Sequence, residues 1–381
     1  MQPFNSKIEL SPAEIERYSR HFSLPQVGIE GQKKLKATRV LCVGVGGLGS
    51  PLTLYLAAAG IGTIGIIDPD RVESSNLQRQ VIYTDNTIGQ PKVEAAKAKL
   101  LQLNPFIQIE TFQEALTETN ALSVIEQYDI IVDGTDNFPT RFLVNDACCY
   151  LKKPNVYASV FQFEGQLSVF CTNQGPCYRC LYPEAPPAHL IPNCAEGGVL
   201  GVLPGIMGSL QALEVIKLAL GIGAPLIGKL LAFDALQMAF REFEIQKNPH
   251  CDSCSKPIDF KNLKRPQASC DPFNTSIDNV ISVYELQSLR AENKNFTLVD
   301  VREPFEYEIC NLGGQLIPLG ELPKQLHTLD KSQLIVVHCK LGVRGKKALE
   351  LLQAQGFKQV KNLEGGILRW IEKIDASLSK Y

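Results

Sequence analysis

The chain has 381 residues, 45% of them hydrophobic and 20% charged, and a formal net charge of −2 at pH 7. This composition is typical of a folded protein of two or three domains, and the small charge argues against general affinity for nucleic acid or anionic membranes. No basic head followed by an apolar core opens the sequence, so we expect no secretory signal. Twelve cysteines without such a signal favour metal and thiol chemistry in a reducing cytoplasm over a disulfide framework.

Hydrophobic periodicity predicts alternating strands and helices over the first part of the chain. The predicted strands are 39–43, 63–67, 130–132, 166–171 and 230–233. The predicted helices are a short one capped by Ser11, then 50–59, 91–103 and 208–220. The uncharged segment 51–67 is interrupted by Gly60 and Gly62 and indicates helix, turn and strand rather than a membrane span. Such alternation predicts an α/β fold with a parallel sheet covered by helices on both sides.

A glycine-rich turn follows the first predicted strand. Gly44, Gly46 and Gly49 fit G-x-G-x-x-G, with Gly47 inside the turn. Glycines let the backbone turn tightly and approach a phosphate, which then lies at a helix N-terminus. Asp68 ends the next predicted strand, where a carboxylate can bind ribose hydroxyls. Alone, this pattern predicts a Rossmann-like nucleotide site, with NAD as the default ligand.

The residues after this turn favour a polyphosphate over NAD. Arg79 and Lys92 follow closely, and displacement at phosphorus needs cations that hydride transfer does not need. Asp133 and Asp136 lie where a strand meets a loop, and one carboxylate there suits Mg²⁺. The alternative is that Arg79 and Lys92 are solvated surface charges and that Asp133 caps a helix. The order in which these residues occur favours the phosphate interpretation.

Two C-x-x-C pairs provide four soft ligands: Cys177, Cys180, Cys251 and Cys254. Zinc accepts four thiolates in a tetrahedral site, and a site closed in this way is structural. The alternative is two unrelated pairs of buried thiols. We predict a structural Cys₄ zinc site that ties the chain together after the sheet.

These motifs resemble the MoeB/ThiF family, whose members are relatives of the ubiquitin-activating enzymes. The similar segments span roughly residues 10–255 and are 44–50, 75–80, 89–92, 133–137, 177–180 and 251–254. The resemblance implies that ATP reacts with the C-terminal Gly-Gly carboxylate of a ubiquitin-like sulfur carrier protein. The products are an acyl-adenylate and pyrophosphate.

The resemblance also implies roles for individual residues. Asp68 holds the ribose, and Asp136 holds Mg²⁺. Asn76, Arg79 and Lys92 act on the phosphates.

Two further residues acquire a role only through the resemblance. Arg20 matches an arginine that reaches the ATP site of a partner subunit, which implies a homodimer. Cys194, in a segment rich in Pro and Gly, matches a cysteine on a crossover loop that takes an acyl group or a persulfide bond. A free core thiol is the alternative for Cys194.

The segment 256–276 is rich in Pro, Lys, Ser and Asn and is predicted to be a linker. It separates a first domain, 10–255, from a second α/β domain, 277–381. The second domain's predicted elements are 283–291, 297–301, 334–338, 345–355 and 367–374. Its Cys339 stands between a strand and a helix, beside Lys340 and Arg344, and this setting predicts a lowered thiol pKa.

The second domain resembles a rhodanese domain in the segments 298–304, 317–320 and 363–370. The resemblance implies that Cys339 carries sulfur as a persulfide. The loop from Cys339 to Arg344 is C-x₄-R, one residue tighter than the C-x₅-R of thiol phosphatases. Leu341 and Gly345 depart from the family, which often has Ser at both positions. We interpret His338 as a core histidine, and Asp300 and Arg302 as a structural ion pair.

The sequence therefore predicts a fused adenylyltransferase and sulfurtransferase of the molybdopterin or thiamine type. It would use ATP, Mg²⁺ and Zn²⁺, with a cysteine desulfurase or thiosulfate as sulfur donor. Two alternatives stay open: a nucleotide-dependent oxidoreductase, and a non-catalytic scaffold for a ubiquitin-like partner.

Overall fold

The structure is a computed structural model that describes residues 8–172, 175–184, 198–256, 258–260, 263, 265 and 279–381. The chain divides into two compact units, Met1–Gln267 and Ala268–Tyr381. Both are built from a largely parallel sheet with helices packed on it, so the predicted α/β class is confirmed.

The sheet of the first unit has eight strands in the order β3-β2-β1-β4-β5-β6-β7-β8. The strands are β1 (Arg39–Val43), β2 (Thr63–Ile67), β3 (Gln108–Phe112), β4 (Ile130–Asp133), β5 (Asn155–Phe161), β6 (Glu164–Phe170), β7 (Lys229–Asp234) and β8 (Ala239–Glu244). β1 pairs in parallel with β2 on one side and β4 on the other, and β6 to β8 continue the sheet antiparallel. The order in which successive strands are added to the sheet thus reverses between β1 and β4, and folds of this kind bind ligands at that point.

Helices cover both faces of this sheet. They are α1 (Pro12–Arg17), α2 (Ser19–Phe22), α3 (Gly28–Ala37), α4 (Gly49–Ala59), α5 (Lys92–Leu103), α6 (Ala121–Ile125), α7 (Phe138–Leu151), α8 (Tyr178–Leu181) and α9 (Val202–Leu220). Alternate residues of β1 point to opposite faces: Val40 joins the core beneath α4, α5 and α9, whereas Leu41 joins the core beneath α6 and α7.

α9 is long and apolar enough to cross a membrane by length and composition alone. Half of it is buried inside the unit, against α4, β5 and β6. A core helix of a folded domain passes the same test, and α9 has that position here. It begins six residues before the predicted start of the helix. Pro204 falls in its first turn, where proline is tolerated, and so does not prevent this earlier start.

The described part of the predicted linker packs on the first unit. Phe260 is buried among the residues beneath α7, and the Arg265 side chain is paired with acidic residues of that unit. The remaining residues of the segment 256–276, apart from a few isolated positions, lie outside the described residues, and its limits stay a prediction.

The second unit has a five-stranded parallel sheet in the order β11-β10-β12-β13-β9. Its strands are β9 (Val280–Ile281), β10 (Phe296–Asp300), β11 (Gln315–Leu316), β12 (Leu334–His338) and β13 (Val360–Leu363). Its helices are α10 (Val283–Ala291), α11 (Pro304–Ile309), α12 (Val343–Ala354) and α13 (Gly366–Lys373). Separate apolar clusters fill the two faces of this sheet.

Candidate functional site

The glycine-rich turn joins β1 to α4 at the point where the chain reverses across the sheet. Gly44 has φ +89°, a left-handed conformation that suits glycine. A Cβ on Gly49 would lie 2.3 Å from the carbonyl oxygen of Gly44. The turn therefore closes only with glycine at these positions, and it places the N-terminus of α4 at the carboxyl edge of the sheet.

A cavity of about 470 Å³ opens at this edge. It brings together most of the residues predicted for the nucleotide site: Gly44, Gly46, Gly47, Asp68, Asn76, Arg79, Lys92 and Asp136. Gly49 is not among the lining residues, because it lies one step further on as the first residue of α4. Arg20 lies on α2, exposed and outside this cavity.

Asp68 is held against the turn by the backbone. Its carboxylate accepts hydrogen bonds from the N–H groups of Val45 and Asp70, both at 2.9 Å. Burial raises the pKa of Asp68, while the nearby Lys92 and the two N–H donors act in the opposite direction. The carboxylate thus faces the cavity in a fixed orientation.

The cations of the cavity have distinct local partners. Lys92, buried at the start of α5, donates to Asp70 at 2.7 Å. Arg79 donates to the carbonyl oxygen of Ser75 at 3.0 Å. Asn76 is buried and accepts a hydrogen bond from the backbone N–H of Glu73. Arg79 and Lys92 both line the cavity, and their action on phosphates stays a prediction.

The two acids after β4 differ in environment. Asp133 is buried, and burial raises its pKa, opposed chiefly by Arg141. Its Oδ1 accepts from the N–H and hydroxyl of Thr135. The cap of α7 is Asn137, which accepts from the N–H of Thr140, so Asp133 is not a helix cap. Asp136 is exposed and lines the cavity, where its carboxylate is available to a cation.

The four cysteines of the two C-x-x-C pairs converge. All four Sγ atoms lie within 4.8 Å of one another. Neighbouring pairs are separated by 3.9 Å (Cys177–Cys180), 3.5 Å (Cys177–Cys251) and 3.5 Å (Cys180–Cys254). Zinc–sulfur bonds of about 2.3 Å in a tetrahedron place sulfur atoms about 3.8 Å apart. The cluster therefore fits one tetrahedral ion, and the alternative of two unrelated thiol pairs is excluded.

A buried carboxylate on α7 joins both C-x-x-C pairs. Asp146 accepts two hydrogen bonds from Arg179 of the first pair, at 2.8 and 2.9 Å. It also accepts from the hydroxyl of Ser253 in the second pair at 2.8 Å and from Arg265 at 3.0 Å. Segments more than 70 residues apart in sequence thus share one acceptor.

The other cysteines of the first unit divide into described ones and Cys194. Cys194 lies outside the described residues, so its role stays a prediction. Cys42, Cys148 and Cys171 are buried, as expected for core residues, while Cys149 is half-buried with its Sγ 3.1 Å from that of Cys171.

Cys339 lies at the end of β12, against the N-terminus of α12. Its Sγ accepts from the N–H groups of Gly342 at 3.1 Å and Gly345 at 3.3 Å. The sequence predicts a lowered pKa for this thiol, and that prediction is wrong. Cys339 is 1% exposed, and burial raises its pKa more than the N–H donors and Arg344 lower it.

Leu341 and Gly345, which stand where rhodanese domains often have serine, differ in their surroundings. Leu341 is half exposed at the rim of the loop. A Cβ on Gly345 would lie 2.1 Å from Oδ1 of Asn362, whose Nδ2 donates to the carbonyl oxygen of Gly342. Serine at position 345 therefore requires Asn362 to move, so the glycine is matched to its neighbour in this loop.

The polar residues beneath the loop are structural, as predicted. Arg302 is fully buried and donates to both carboxylate oxygens of Asp300. His338 is also fully buried, and desolvation lowers its pKa to about 4. It is therefore a neutral core histidine at pH 7.

Three acidic residues that contact the predicted site residues are not predicted from the sequence. Asp70 pairs with Lys92, Asp146 joins the C-x-x-C pairs, and Glu306 pairs with Arg344. Asp70 stands two residues after the ribose-binding candidate, which offers a weak signal. Asp146 and Glu306 occur on helices like many surface acids, and no local pattern marks them.

Asp146→Ala should lower the free energy of unfolding by about 3–5 kcal/mol, because it removes the buried carboxylate that pairs with the guanidinium groups of Arg179 and Arg265. Urea unfolding of the full chain measures this change. The matched control is Glu118→Gln, which alters the exposed partner of Arg265 and should cost less than about 1 kcal/mol. Equal, small effects of the two substitutions would contradict a central role for Asp146.

His338 should make the protein less stable in mild acid. Its pKa is about 4 when folded and about 6.5 when unfolded. Only the unfolded chain gains its proton between these values, so stability falls as pH drops below about 6.5. Urea unfolding at pH 5 and pH 7.5 should show that His338→Leu removes about 2 kcal/mol of this pH dependence. The same substitution at the exposed His327 is the control. A pH dependence unchanged by His338→Leu would contradict the buried neutral assignment.

Comparisons with known proteins identify the family of each domain. The profile of the ThiF family matches residues 18–254, and that of the rhodanese-like domain matches residues 282–373. A probable adenylyltransferase/sulfurtransferase MoeZ of Mycobacterium tuberculosis is 42% identical over 98% of this chain and 96% of its own length. An adenylyltransferase and sulfurtransferase MOCS3 of Aedes aegypti is 42% identical over 98% of this chain and 90% of its own.

Solved structures support the fold of the first unit. The crystal structure of E. coli MccB with ATP covers 62% of this chain and 74% of that chain, at 26% identity and a TM-score of 0.54. The crystal structure of PaaA covers 65% of this chain and 78% of that chain, at 26% identity and a TM-score of 0.55. The chain therefore belongs to the ThiF family, and its ThiF domain is followed by a rhodanese-like domain.

Proposed function

We propose that the protein adenylates the C-terminal glycine of a ubiquitin-like sulfur carrier protein and then converts the activated carboxylate to a thiocarboxylate. The observation that carries the proposal is the cavity between β1 and β4, where Arg79, Lys92 and Asp136 meet the glycine-rich turn. The relatives named MoeZ and MOCS3 are described as adenylyltransferases and sulfurtransferases. A place in molybdopterin or thiamine-type biosynthesis is part of this proposal.

In the adenylation step, the carrier's carboxylate attacks the α-phosphate of ATP and pyrophosphate leaves. The N-terminus of α4 and the backbone of the turn favour phosphate oxygens. Arg79, Lys92 and Asn76 line the same cavity, where the cations oppose the charge that develops on the leaving pyrophosphate. Asp68 is oriented by two N–H donors for the ribose hydroxyls.

Two metal ions belong to this proposal. Asp136 would hold Mg²⁺, which when bound neutralises phosphate charge. Cys177, Cys180, Cys251 and Cys254 would hold Zn²⁺. With four protein ligands this ion has no open position, so its role is structural.

In the sulfur-transfer step, a persulfide on Cys339 attacks the acyl-adenylate carbonyl, AMP leaves, and an acyl disulfide forms. Attack of a second thiol on the Cys339 sulfur then forms a disulfide with Cys339 and releases the thiocarboxylate, and Cys194 is the candidate for that thiol. A thiol reductant restores both cysteines for the next turnover. Adenylation makes this chemistry feasible because AMP is a far better leaving group than a carboxylate oxygen. The N–H groups that face Cys339 stabilise the anionic sulfur.

The assembly, sulfur donor and location complete the proposal. Arg20 is exposed and outside the cavity of its own chain, which supports a homodimer in which it serves the partner's site.

The ten described cysteines are all unpaired, which supports a reducing, cytoplasmic setting. A cysteine desulfurase or thiosulfate supplies the sulfur.

ATP–pyrophosphate exchange in the presence of a ubiquitin-like protein ending in Gly-Gly tests the adenylation. We expect exchange by the wild-type protein and a loss of about 10²–10³-fold for Lys92→Ala, since a buried cation at the phosphates is removed. Lys99→Ala, at an exposed position on the same helix α5, is the matched control and should retain exchange.

The outcomes separate the alternatives. Binding of NAD(P) with no exchange would favour an oxidoreductase. Carrier binding that survives Lys92→Ala, again with no exchange by the wild-type protein, would favour a scaffold. Either result would contradict the proposed adenylation.

A further inference from the structure

Both cations of the Cys339 loop are held by neighbouring side chains. Arg344 donates to the two carboxylate oxygens of Glu306, at 2.5 and 2.7 Å. Lys340 places its ammonium 4.5 Å from the ring centre of Tyr381, a cation–π distance. The position of the loop's positive charge therefore depends on groups outside the loop.

Tyr381 contacts Lys340 and also the carboxylate that binds Arg344. Its ring receives the Lys340 ammonium, and its hydroxyl donates to Glu306 Oε1 at 3.0 Å. The same Glu306 oxygen accepts from Arg344. One side chain thus acts on Lys340 directly and on Arg344 through a single carboxylate.

The hydroxyl of Tyr381 is itself fixed from the interior. It accepts from Nη1 of Arg302 at 2.5 Å. Arg302 is fully buried, paired with Asp300 at the end of β10, and donates to the carbonyl oxygen of Cys310 at 2.8 Å. These contacts form a continuous series from the sheet through Arg302, Tyr381 and Glu306 to Arg344.

We propose that Tyr381 is a positioning residue for sulfur transfer: it orders Lys340 and, through Glu306, Arg344 around Cys339. This inference rests on the proposed sulfurtransferase function of the second unit. It assigns Tyr381 no contact with the reacting sulfur. Its effect is carried by the carboxylate and the two cations.

The physical basis is the charge balance around a sulfur anion. Burial disfavours the Cys339 thiolate, and Arg344 and the loop N–H groups oppose that effect. When the Tyr381 hydroxyl is lost, Glu306 keeps its charge but has one donor fewer, so it offsets Arg344 more strongly. The titratable groups linked around this thiol are His338 on β12, Lys340 in the loop, Arg344 on α12, Glu306 on α11, Tyr381, Asp300 at the end of β10 and Arg302.

Three variants of the full chain test the proposal. Tyr381→Phe removes the hydroxyl and keeps the ring, whereas Tyr381→Leu removes both. Tyr307→Phe is the matched control, because its hydroxyl, in the same unit, donates to the backbone oxygen of Gly314 and not to the loop network. The readouts are the pH profile of Cys339 alkylation by iodoacetamide, resolved by peptide mass, and thiosulfate:cyanide sulfur transfer.

We expect Tyr381→Phe to shift the Cys339 alkylation profile to higher pH and to lower kcat for sulfur transfer roughly tenfold, the factor for one hydrogen bond to a charged group. Tyr381→Leu, which also removes the ring beside Lys340, should show a larger shift in the same direction, and Tyr307→Phe should match the wild type. The Phe variant decides the role of the hydroxyl even where the Leu variant is unstable.

An alkylation profile and kcat unchanged in Tyr381→Phe and in folded Tyr381→Leu would overturn the proposal. A wild-type protein that alkylates normally but transfers no sulfur would instead contradict the proposed function. The alkylation profiles would still decide the positioning claim in that case.

Discussion

The reversal of the chain between β1 and β4 is the constraint on which the adenylation site depends. β1 has parallel neighbours on both sides, so the connections leaving β1 and β4 diverge and open a crevice at the carboxyl edge of the sheet. The glycine-rich turn and the residues after β4 occupy the two sides of that crevice. Arg79 and Lys92 reach it from the connection after β2. A nucleotide cavity with cations and a carboxylate on its walls follows from this strand order.

The cysteines divide into two groups with different physical roles. The four of the C-x-x-C pairs face one another and are surrounded by hydrogen bonds that converge on Asp146, as expected of a site that holds segments in place. Cys339 faces backbone N–H groups at a helix N-terminus, where an anionic sulfur is stabilised. Burial opposes ionisation of this thiol, so the loop cations matter more than they would at an exposed site.

Local signals in the sequence predict the elements that form the nucleotide site. The strands 39–43 and 63–67 and the start of the second unit's first helix agree with the structure residue for residue, because apolar runs end at glycines and caps. β3, a five-residue edge strand, was not predicted although its polar residues alternate with apolar ones, which is a signal for a half-buried strand. α7 was missed although Asn137 and Pro139 mark its start.

What could not be predicted depends on contacts distant in sequence. Asp146 accepts from Arg265, 119 residues later, and Glu306 from Tyr381, 75 residues later. Nothing near these acids distinguishes them from solvated ones. The wrong direction for the Cys339 pKa has the same origin: the neighbouring cations are visible in sequence, but the depth of burial is not.

We conclude that one chain both activates a carrier's carboxylate and delivers sulfur to it, with the covalent link keeping the sulfur source at high effective concentration. The most direct measurement is the intact mass of a ubiquitin-like protein ending in Gly-Gly after incubation with the protein, ATP and thiosulfate. We predict that one oxygen is replaced by sulfur with the wild type and that no sulfur is gained with Cys339→Ser. An unchanged carrier mass with the wild type, or the same sulfur gain with Cys339→Ser, would contradict the claim.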